Sequence, residues 1–299
     1  MGYHVASLNL HRLRVFHAVA RRESYSRAAE DLRISQPAVS KHVLDLEEEL
    51  GAKLFHRLGR RILLTEAGRL MADYAQRIFH LADEARRALE ELQGLERGRL
   101  HLGASSTPGN YLLPKALAAF QAKYPRLDVS LNIMASHDVV DRVIRQEMDL
   151  GFVGATFSAD LHVQPYMEDE LILILRPGHP LASIRTISRE ALEKETFVLR
   201  DVASGTRTVA EAELKARGIA IRRLLELRSV EAVKQAVAEG LGISFISRHA
   251  VALEVRHKVL AVAADPRFRF RRPLVMISRK DARLSPAALA FAASVRKPA

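Results

Sequence analysis

The spacing of apolar residues changes near residue 99 of this 299-residue chain, and that change constrains the fold more than any other feature. Before residue 99, apolar residues recur every three or four positions, as one buried face of a helix requires. After it, short apolar segments alternate with helical ones, which is typical of a parallel sheet covered by helices. The sequence therefore predicts an all-helical N-terminal part, followed by an α/β part with a mainly parallel sheet.

Three helices and a hairpin are predicted in the first 66 residues. The helices are expected at residues 8–21, 25–32 and 35–50, and the hairpin strands at residues 53–55 and 62–64. Ser35 is a good N-cap for the third helix, and Gly51 supplies its C-terminal stop. A fourth helix is predicted from Thr65 to about residue 95. It is either a surface helix or one that packs against a second copy of the chain, and its length favours the second copy.

Strands alternate with helices from residue 99 to the end. Strands are predicted at residues 100–104, 128–134, 150–153, 171–175, 197–199, 224–227, 243–246 and 274–278. Helices are predicted at residues 108–124, 138–148, 209–217, 230–239 and 286–296. About 200 residues of such alternation suggests two sub-domains.

The helix predicted at residues 35–50 has the features of a helix that reads DNA. Such a helix enters the major groove with its N-terminal end. The residues at that end are Ser35, Gln36, Pro37, Ala38, Ser40 and Lys41. Gln36 can pair with adenine, Ser40 with several bases, and Lys41 with guanine or phosphate. The small Pro37 and Ala38 let the helix approach closely.

Arginines of the predicted hairpin extend this surface. Arg57, Arg60 and Arg61 come to one side of the hairpin, which suits contacts with phosphates or the minor groove. The alternative is that these are solvated polar residues on an ordinary helical bundle. The succession of helix, short turn, helix rich in small residues and basic hairpin favours double-stranded DNA as a partner.

The net charge of +11 and the pI of about 10.2 are weaker evidence for DNA binding. Residues 1–66 hold 11 Lys and Arg against 8 Asp and Glu, a net charge of only +3. Residues 99–299 carry a net charge of +9. The local pattern, and not the bulk charge, therefore supports the DNA-binding interpretation.

The composition argues against several classes of protein. Cysteine is absent, which excludes disulfides and thiolate metal sites. No apolar run reaches the ~18 residues that cross a bilayer, and the N-terminus lacks the features of a secretory signal. The 12 histidines form no His-Glu-x-x-His cluster, and no Gly-x-Ser-x-Gly turn or Walker loop is present. We therefore expect a cytoplasmic protein that has no membrane association, is not an enzyme and has no catalytic residue, metal or cofactor.

Two segments of the α/β part are suited to bind an anion. In each, polar residues follow a predicted strand and open a helix, where free backbone N–H groups attract negative charge. The first contains Ser105, Ser106 and Thr107, and the second contains Arg200, Ser204, Thr206 and Arg207. The alternatives are simple helix capping for the first segment and a surface loop with an internal Arg–Asp pair for the second. A third such corner, at residues 228–231, is expected to converge on the same cleft.

The N-terminal residues closely resemble the signature of LysR-type transcriptional regulators. The matching pieces are Ala28-Ala29, Ser35-Gln36-Pro37-Ala38-Val39-Ser40, Leu46-Glu47, Leu50-Gly51, Leu54-Phe55-His56-Arg57 and Leu64-Thr65-Glu66-Ala67-Gly68. Chain length and the α/β remainder also fit, so the resemblance covers the whole chain. Residues 103–114 are most similar to the branch that includes the CysB and CbbR regulators of sulfur assimilation and carbon fixation, which sense small, often anionic metabolites.

The resemblance implies a division into three functional parts. These are a winged helix-turn-helix at residues 1–66, a dimerising linker helix at 67–97 and an effector-binding domain at 98–299 that is shaped like periplasmic binding proteins. Within the last part, sub-domain I is expected at about 98–165 and 267–299, and sub-domain II at about 166–266. It further implies homodimers or homotetramers on DNA, and we also expect RNA polymerase as a partner.

The same resemblance implies an effector pocket lined by Ser105, Ser106, Thr107, Thr206 and Arg207. Two rivals remain besides an enzyme. A periplasmic binding protein shares the α/β part but has a signal peptide and no helix-turn-helix. A purely architectural DNA binder does not need so large a second part.

Overall fold

The computed structural model describes residues 8–58, 61–91, 98–154 and 158–296, and it divides into two units, Met1–Arg86 and Arg87–Ala299. The first unit consists of helices and a hairpin, as the sequence predicts. Its elements are α1 (Leu10–Arg22), α2 (Tyr25–Leu32), α3 (Gln36–Leu50), β1 (Phe55–Leu58), β2 (Arg61–Leu64) and α4 (Glu66–Glu91), the last of which extends past the unit boundary. Its cores hold fully buried Leu13, Phe16 and Leu46.

Local hydrogen bonds set the ends of these elements. The Asn9 side chain accepts from the Arg12 backbone N–H at 3.1 Å, so α1 begins at Leu10 and not at residue 8. The Thr65 hydroxyl accepts from the Gly68 N–H at 2.9 Å, which confirms Thr65 as the cap of α4. Residues 92–95 of the predicted fourth helix lie outside the described residues. The strands of the hairpin pair from Phe55 opposite Leu64 to Leu58 opposite Arg61, so β1 lies closer to the turn than the sequence predicts.

Two long strands run through the second unit. They are β6 (Leu161–Leu175) and β11 (Arg269–Arg279), which pair antiparallel with a register shift after Leu274. At one end β11 pairs with β5 (Leu150–Gly154), which continues through β3 (Gly98–Ala104) to β4 (Leu127–Ile133). At the other end β6 pairs with β9 (Ser244–Ser247) and β10 (Ala261–Val262), beside a small sheet of β7 (Thr196–Leu199) and β8 (Arg223–Glu226).

Helices cover both ends of this unit. They are α5 (Leu113–Lys123), α6 (Ser136–Ile144), α7 (Arg189–Glu193), α8 (Gly205–Ala216), α9 (Val230–Ala238), α10 (Ala252–Arg256) and α11 (Pro286–Arg296), with a π-helical turn at Pro108–Leu112. We call the end with β3, β4, β5, α5, α6 and α11 the first half and the end with β7 to β10 and α7 to α10 the second half. Each half has its own buried aromatic core, around Phe152 and Phe291 in the first and Phe197 and Phe245 in the second.

The prediction of a mainly parallel sheet is wrong. Among the described strands, β4, β3 and β5 are parallel, as are β7 and β8, but every pairing of the long strands β6 and β11 is antiparallel. The sequence predicts β6 only at residues 171–175, because its first part contains Pro165 and several charged residues that hide the strand pattern. In the described ranges, no helix combines the length and the apolar character needed to cross a membrane.

Candidate functional site

The leading end of α3 is open to solvent within this chain. Ser35, Gln36, Pro37 and Lys41 are exposed, whereas Ala38 and Ser40 are half-buried. The opposite face of α3 is fully packed, with Val39 and Leu46 at 0% exposure. The helix therefore presents a polar edge that is free to approach a partner from its N-terminal end.

The turn between α2 and α3 holds that edge in place. Arg33 has φ of 55°, a left-handed conformation that reverses the chain after α2. The Ile34 N–H then donates to the Ala29 carbonyl at 3.1 Å. Ala28 and Ala29 are buried, and their small side chains allow close approach of the helices around them.

Glu47 connects the hairpin to α3, a role that the sequence analysis missed. Its carboxylate is buried and accepts from the Leu54 N–H at 2.8 Å, the Phe55 N–H at 3.3 Å and Lys53 Nζ at 2.7 Å. The sequence signal for such a link is a glutamate on the apolar face of a predicted helix, because a charge at that position is costly unless it is paired.

Two of the three arginines of the hairpin, Arg57 and Arg61, lie in the described part of the chain. Arg57 lies on β1, opposite Ile62, and Arg61 lies on β2, opposite Leu58. Arg60 lies outside the described residues. Arg57 and Arg61 therefore lie on the strands, outside the predicted segments 53–55 and 62–64. The register places these two positions on opposite faces of the hairpin, so the prediction that they come to one side is wrong for this pair.

A polar cavity of about 110 Å³ lies between the two halves of the second unit. Six of the seven residues predicted to bind an effector line it, namely Ser105, Ser106, Thr107, Arg200, Ser204 and Thr206. The reason is topological: Ser105 follows the carboxyl end of β3, Arg200 follows β7, and α8 begins beside Ser204. Two segments about 95 residues apart therefore face each other across the cavity, as the ends of strands do in such folds.

Arg207, the seventh residue, is not part of this lining. Its guanidinium donates to Glu226 at 2.6 Å, to Glu211 at 2.7 Å and to the Arg200 carbonyl at 3.0 Å. These hydrogen bonds raise the pKa of Arg207, with the bond to Glu211 the largest cause. The prediction for Arg207 is corrected accordingly: its charge is used within the second half.

The third predicted corner does not join the cavity either. Ser229 caps α9 by accepting from the Ala232 N–H at 3.4 Å. Neither Ser229 nor any other residue of the 228–231 corner is among the residues that line the cavity. Helix capping accounts for this corner.

A buried ion pair below the cavity is the main feature that sequence reasoning missed. Asp169 on β6 is fully buried, Arg272 on β11 exposes only 7% of its side chain, and the two meet at 2.8 Å. Arg272 also donates to the hydroxyls of Thr107 and Thr206, each at 3.0 Å. The available signal was that Arg272 shares the inward alternation of Phe270 on β11.

Arg200 is a second cation in the lining of the polar cavity, beside Arg272. It donates to Ser106 Oγ at 3.3 Å and contacts Asp201 at 3.4 Å, and its side chain exposes 19% of its surface. Its buried Nε has no hydrogen-bond partner among the described residues.

A larger chamber of about 430 Å³ adjoins the polar cavity. Both are lined by Ser136, Gly154, Ala203, Gly205 and Arg272. The larger one adds apolar walls from Val140, Val209 and Pro273, and polar groups from His137, Asp141 and Thr208. Its volume falls within the range of sites for small metabolites.

Comparisons with known proteins identify the family of both parts of the chain. Residues 10–69 match the family of bacterial regulatory helix-turn-helix proteins of the lysR type, and residues 93–298 match the LysR substrate-binding domain. The chain is 40% identical to the RuBisCO operon transcriptional regulator of Allochromatium vinosum over 95% of this chain and 94% of that protein. A probable RuBisCO transcriptional regulator of Synechocystis is also 40% identical, over 94% of this chain and 84% of that protein.

Two solved structures are similar over the matching parts. The regulatory domain of Synechocystis PCC6803 CcmR in complex with 2-PG is 32% identical, with a TM-score of 0.60, over 67% of this chain and 96% of that one. Full-length CbnR complexed with its target DNA is 24% identical, with a TM-score of 0.70, over 96% and 99% of the two chains. The fold class expected from the sequence, a helix-turn-helix followed by a two-part α/β domain, is confirmed by these matches.

Proposed function

Since this chain belongs to the LysR family of DNA-binding transcriptional regulators, we propose that a small organic anion in the polar cavity controls how it binds its promoters. The observation that carries the proposal is the convergence of three donor side chains on one cavity: Thr107 from the first half, and Thr206 and Arg200 from the second. Such a set recognises acceptor-rich anionic groups. The 2-PG bound by the CcmR domain is consistent with this chemistry.

DNA recognition is assigned to the exposed end of α3 and to the hairpin. We assign base contacts to Gln36, Ser40 and Lys41, with Ser35, Pro37 and Ala38 allowing close approach. Phosphate or minor-groove contacts are assigned to Arg57, Arg60 and Arg61.

A second copy of the chain is the partner we assign to α4. Leu70, Tyr74 and Leu81 on this helix expose 60%, 48% and 64% of their surface, and apolar residues at such spacing form a stripe that a second helix would cover. A homodimer or homotetramer then places two reading helices on a DNA site with dyad symmetry. We keep residues 1–66, 67–97 and 98–299 as the division into DNA-binding, linker and effector-binding parts.

The names of the relatives indicate a class of target genes. Since relatives at 40% identity are regulators of RuBisCO operons, we propose genes of carbon fixation as targets. The effector would shift the population of conformers in which the reading helices match the spacing of the DNA site. RNA polymerase is the further partner that we propose, and contact with it would change transcription. We propose that the regulator and the polymerase meet in the cytoplasm.

Thermal unfolding of the full chain tests the effector part of this proposal. Inorganic sulfate, inorganic phosphate and 2-PG serve as anionic probes, and ethylene glycol as an uncharged control. We expect the melting temperature to rise with at least one anion, because a ligand that binds only the folded state stabilises it. Thr107→Val should reduce that rise, and Thr186→Val, at an exposed threonine outside the cavity, should leave it unchanged. A panel in which no anion shifts the melting temperature counts against the proposal.

A further inference from the structure

We propose that Arg272 is a positioning residue that directs the hydroxyl hydrogens of Thr107 and Thr206 toward the effector. The polar cavity would then select an anionic oxygen that carries no hydrogen over the same group with a proton. This inference rests on the proposed function, because it specifies which anions the cavity accepts. It concerns hydrogen-bond polarity and not net charge.

The geometry places one guanidinium against both hydroxyls. Arg272 Nη1 lies 3.0 Å from Thr206 Oγ1, and Nη2 lies 3.0 Å from Thr107 Oγ1. Thr107 follows β3 in the first half, and Thr206 lies at the start of α8 in the second half. One side chain therefore fixes a hydroxyl on each wall of the cavity.

The direction of these hydrogen bonds follows from the chemistry of arginine. A guanidinium has five N–H donors and no acceptor, so each threonine oxygen must accept from it. Each hydroxyl then retains one hydrogen and one lone pair, and the hydrogen is the more costly of the two to leave without a partner. Among the described residues, neither hydroxyl donates a hydrogen bond to an acceptor of the chain. Both threonines line the cavity. The hydrogens are therefore available to a ligand.

The ion pair with Asp169 holds Arg272 in this role. Asp169 is fully buried and meets Arg272 at 2.8 Å, while its other oxygen accepts from the Ser247 hydroxyl at 2.6 Å. Asp169 therefore balances the charge of Arg272 within the protein. Arg200 is the other cation in the lining, and its side chain also contacts Asp201 at 3.4 Å.

The charged groups around the cavity do not reverse this polarity. Arg200 and Asp201 face the cavity after β7, Arg272 lines it and is paired with Asp169, and His137 and Asp141 border the adjoining chamber. Asp201 is the one carboxylate in the lining of the polar cavity, and it already accepts from the Ala203 N–H at 3.1 Å and contacts Arg200 at 3.4 Å. A protonated ligand oxygen placed between the two threonine hydrogens would thus face two donors and lose a hydrogen bond.

Methyl sulfate and methyl phosphate at pH 5 separate polarity from charge. A phosphate monoester has a second pKa of about 6, so at pH 5 both ligands are monoanions and differ by one O–H. We expect calorimetric titration of the full chain to give roughly fivefold or more tighter binding of methyl sulfate at pH 5, the range of one unsatisfied buried donor. Between pH 5 and 7.5, methyl phosphate should gain relative to methyl sulfate. At a given pH the free protein has the same charge in both titrations, so the difference in affinity reports on the O–H group of the ligand.

A paired variant tests the residue itself. D169N/R272M removes both charges together, which avoids leaving one buried charge unpaired. We expect its preference for methyl sulfate at pH 5 to fall to about twofold or less, because the guanidinium no longer holds the hydroxyl hydrogens toward the cavity. The control D265N/R267M removes another ion pair whose carboxylate is fully buried, away from the cavity lining, and should keep the wild-type ratio.

Three results would overturn the inference. Equal binding of the two ligands by the unaltered chain at pH 5 would reject it while leaving the anion-binding proposal intact. A wild-type ratio retained in D169N/R272M would reject the role of Arg272. Failure of both ligands to bind at any pH would reject this inference together with the proposed anionic effector.

Discussion

The reading end of α3 and the polar cavity use polar side chains in opposite ways. At the end of α3, Gln36 and Lys41 are exposed, and no hydrogen bond or ion pair with another described residue fixes them. In the cavity, Thr107 and Thr206 are held by Arg272, which is itself held by Asp169. Under the proposed functions, the surface that adapts to a DNA groove leaves its groups free, whereas the cavity that discriminates small anions is organised before the ligand arrives.

The largest expected change in stability comes from removing the buried carboxylate of Asp169, and it tests whether the cavity is organised in advance. Asp169→Leu leaves Arg272 as an unpaired buried charge, so we expect the full chain to lose about 3–5 kcal/mol of unfolding free energy in urea. D169N/R272M, which removes the pair together, should lose markedly less. If Asp169→Leu cost under about 1 kcal/mol, the cavity would not be organised in the way described.

Gln36 tests the role of the exposed end of α3. Gln36→Ala should change which base is preferred under the leading end of α3 by about 1–3 kcal/mol, because it removes a bidentate contact without altering the fold. Selection from a randomised duplex library measures the preference. Gln121→Ala, at an exposed glutamine of α5, serves as the control. An unchanged preference in Gln36→Ala would remove Gln36 from the reading surface.

Arg57 is expected to have a smaller and less selective effect. Arg57→Ala should weaken binding to all duplexes alike and reduce the slope of log K against log salt by about one phosphate contact. Fluorescence anisotropy at several salt concentrations gives the slope. Arg256→Ala, an exposed arginine at the end of α10, should leave it unchanged. A change in base preference with an unaltered slope would assign Arg57 to base contact instead.

The same contrast explains what the sequence could and could not predict. The first unit follows from local signals: Ser35 caps α3, Gly51 ends it, and apolar spacing gives its buried face. The cavity lining was predictable where it follows strands and opens helices, as with Thr107. Arg272 and Asp169 were not, because they meet across 103 positions of sequence on two strands that were not recognised as partners.

Loss of paired carboxylates elsewhere gives the smallest expected effect and tests whether the second half is stabilised independently of the cavity. Glu193 accepts from the Ala220 N–H at 3.1 Å, from Arg189 at 2.6 Å and from Arg222 at 2.8 Å. These hydrogen bonds, with the backbone bond from Ala220 the largest cause, lower the pKa of Glu193 from 4.5 to about 2.

A carboxylate whose pKa is lowered on folding stabilises the folded state above its ordinary pKa. The contribution of Glu193 should therefore be complete above about pH 4.5 and disappear as the pH falls through about 2. We expect Glu193→Gln to lower the melting temperature more at pH 6 than at pH 3, with the anion-induced rise unchanged at pH 6. Glu190→Gln, an exposed carboxylate on the same helix, is the control. An equal loss at both pH values would show that Glu193 acts through packing and not through its charge, and a lost anion response would show that the second half and the cavity are coupled.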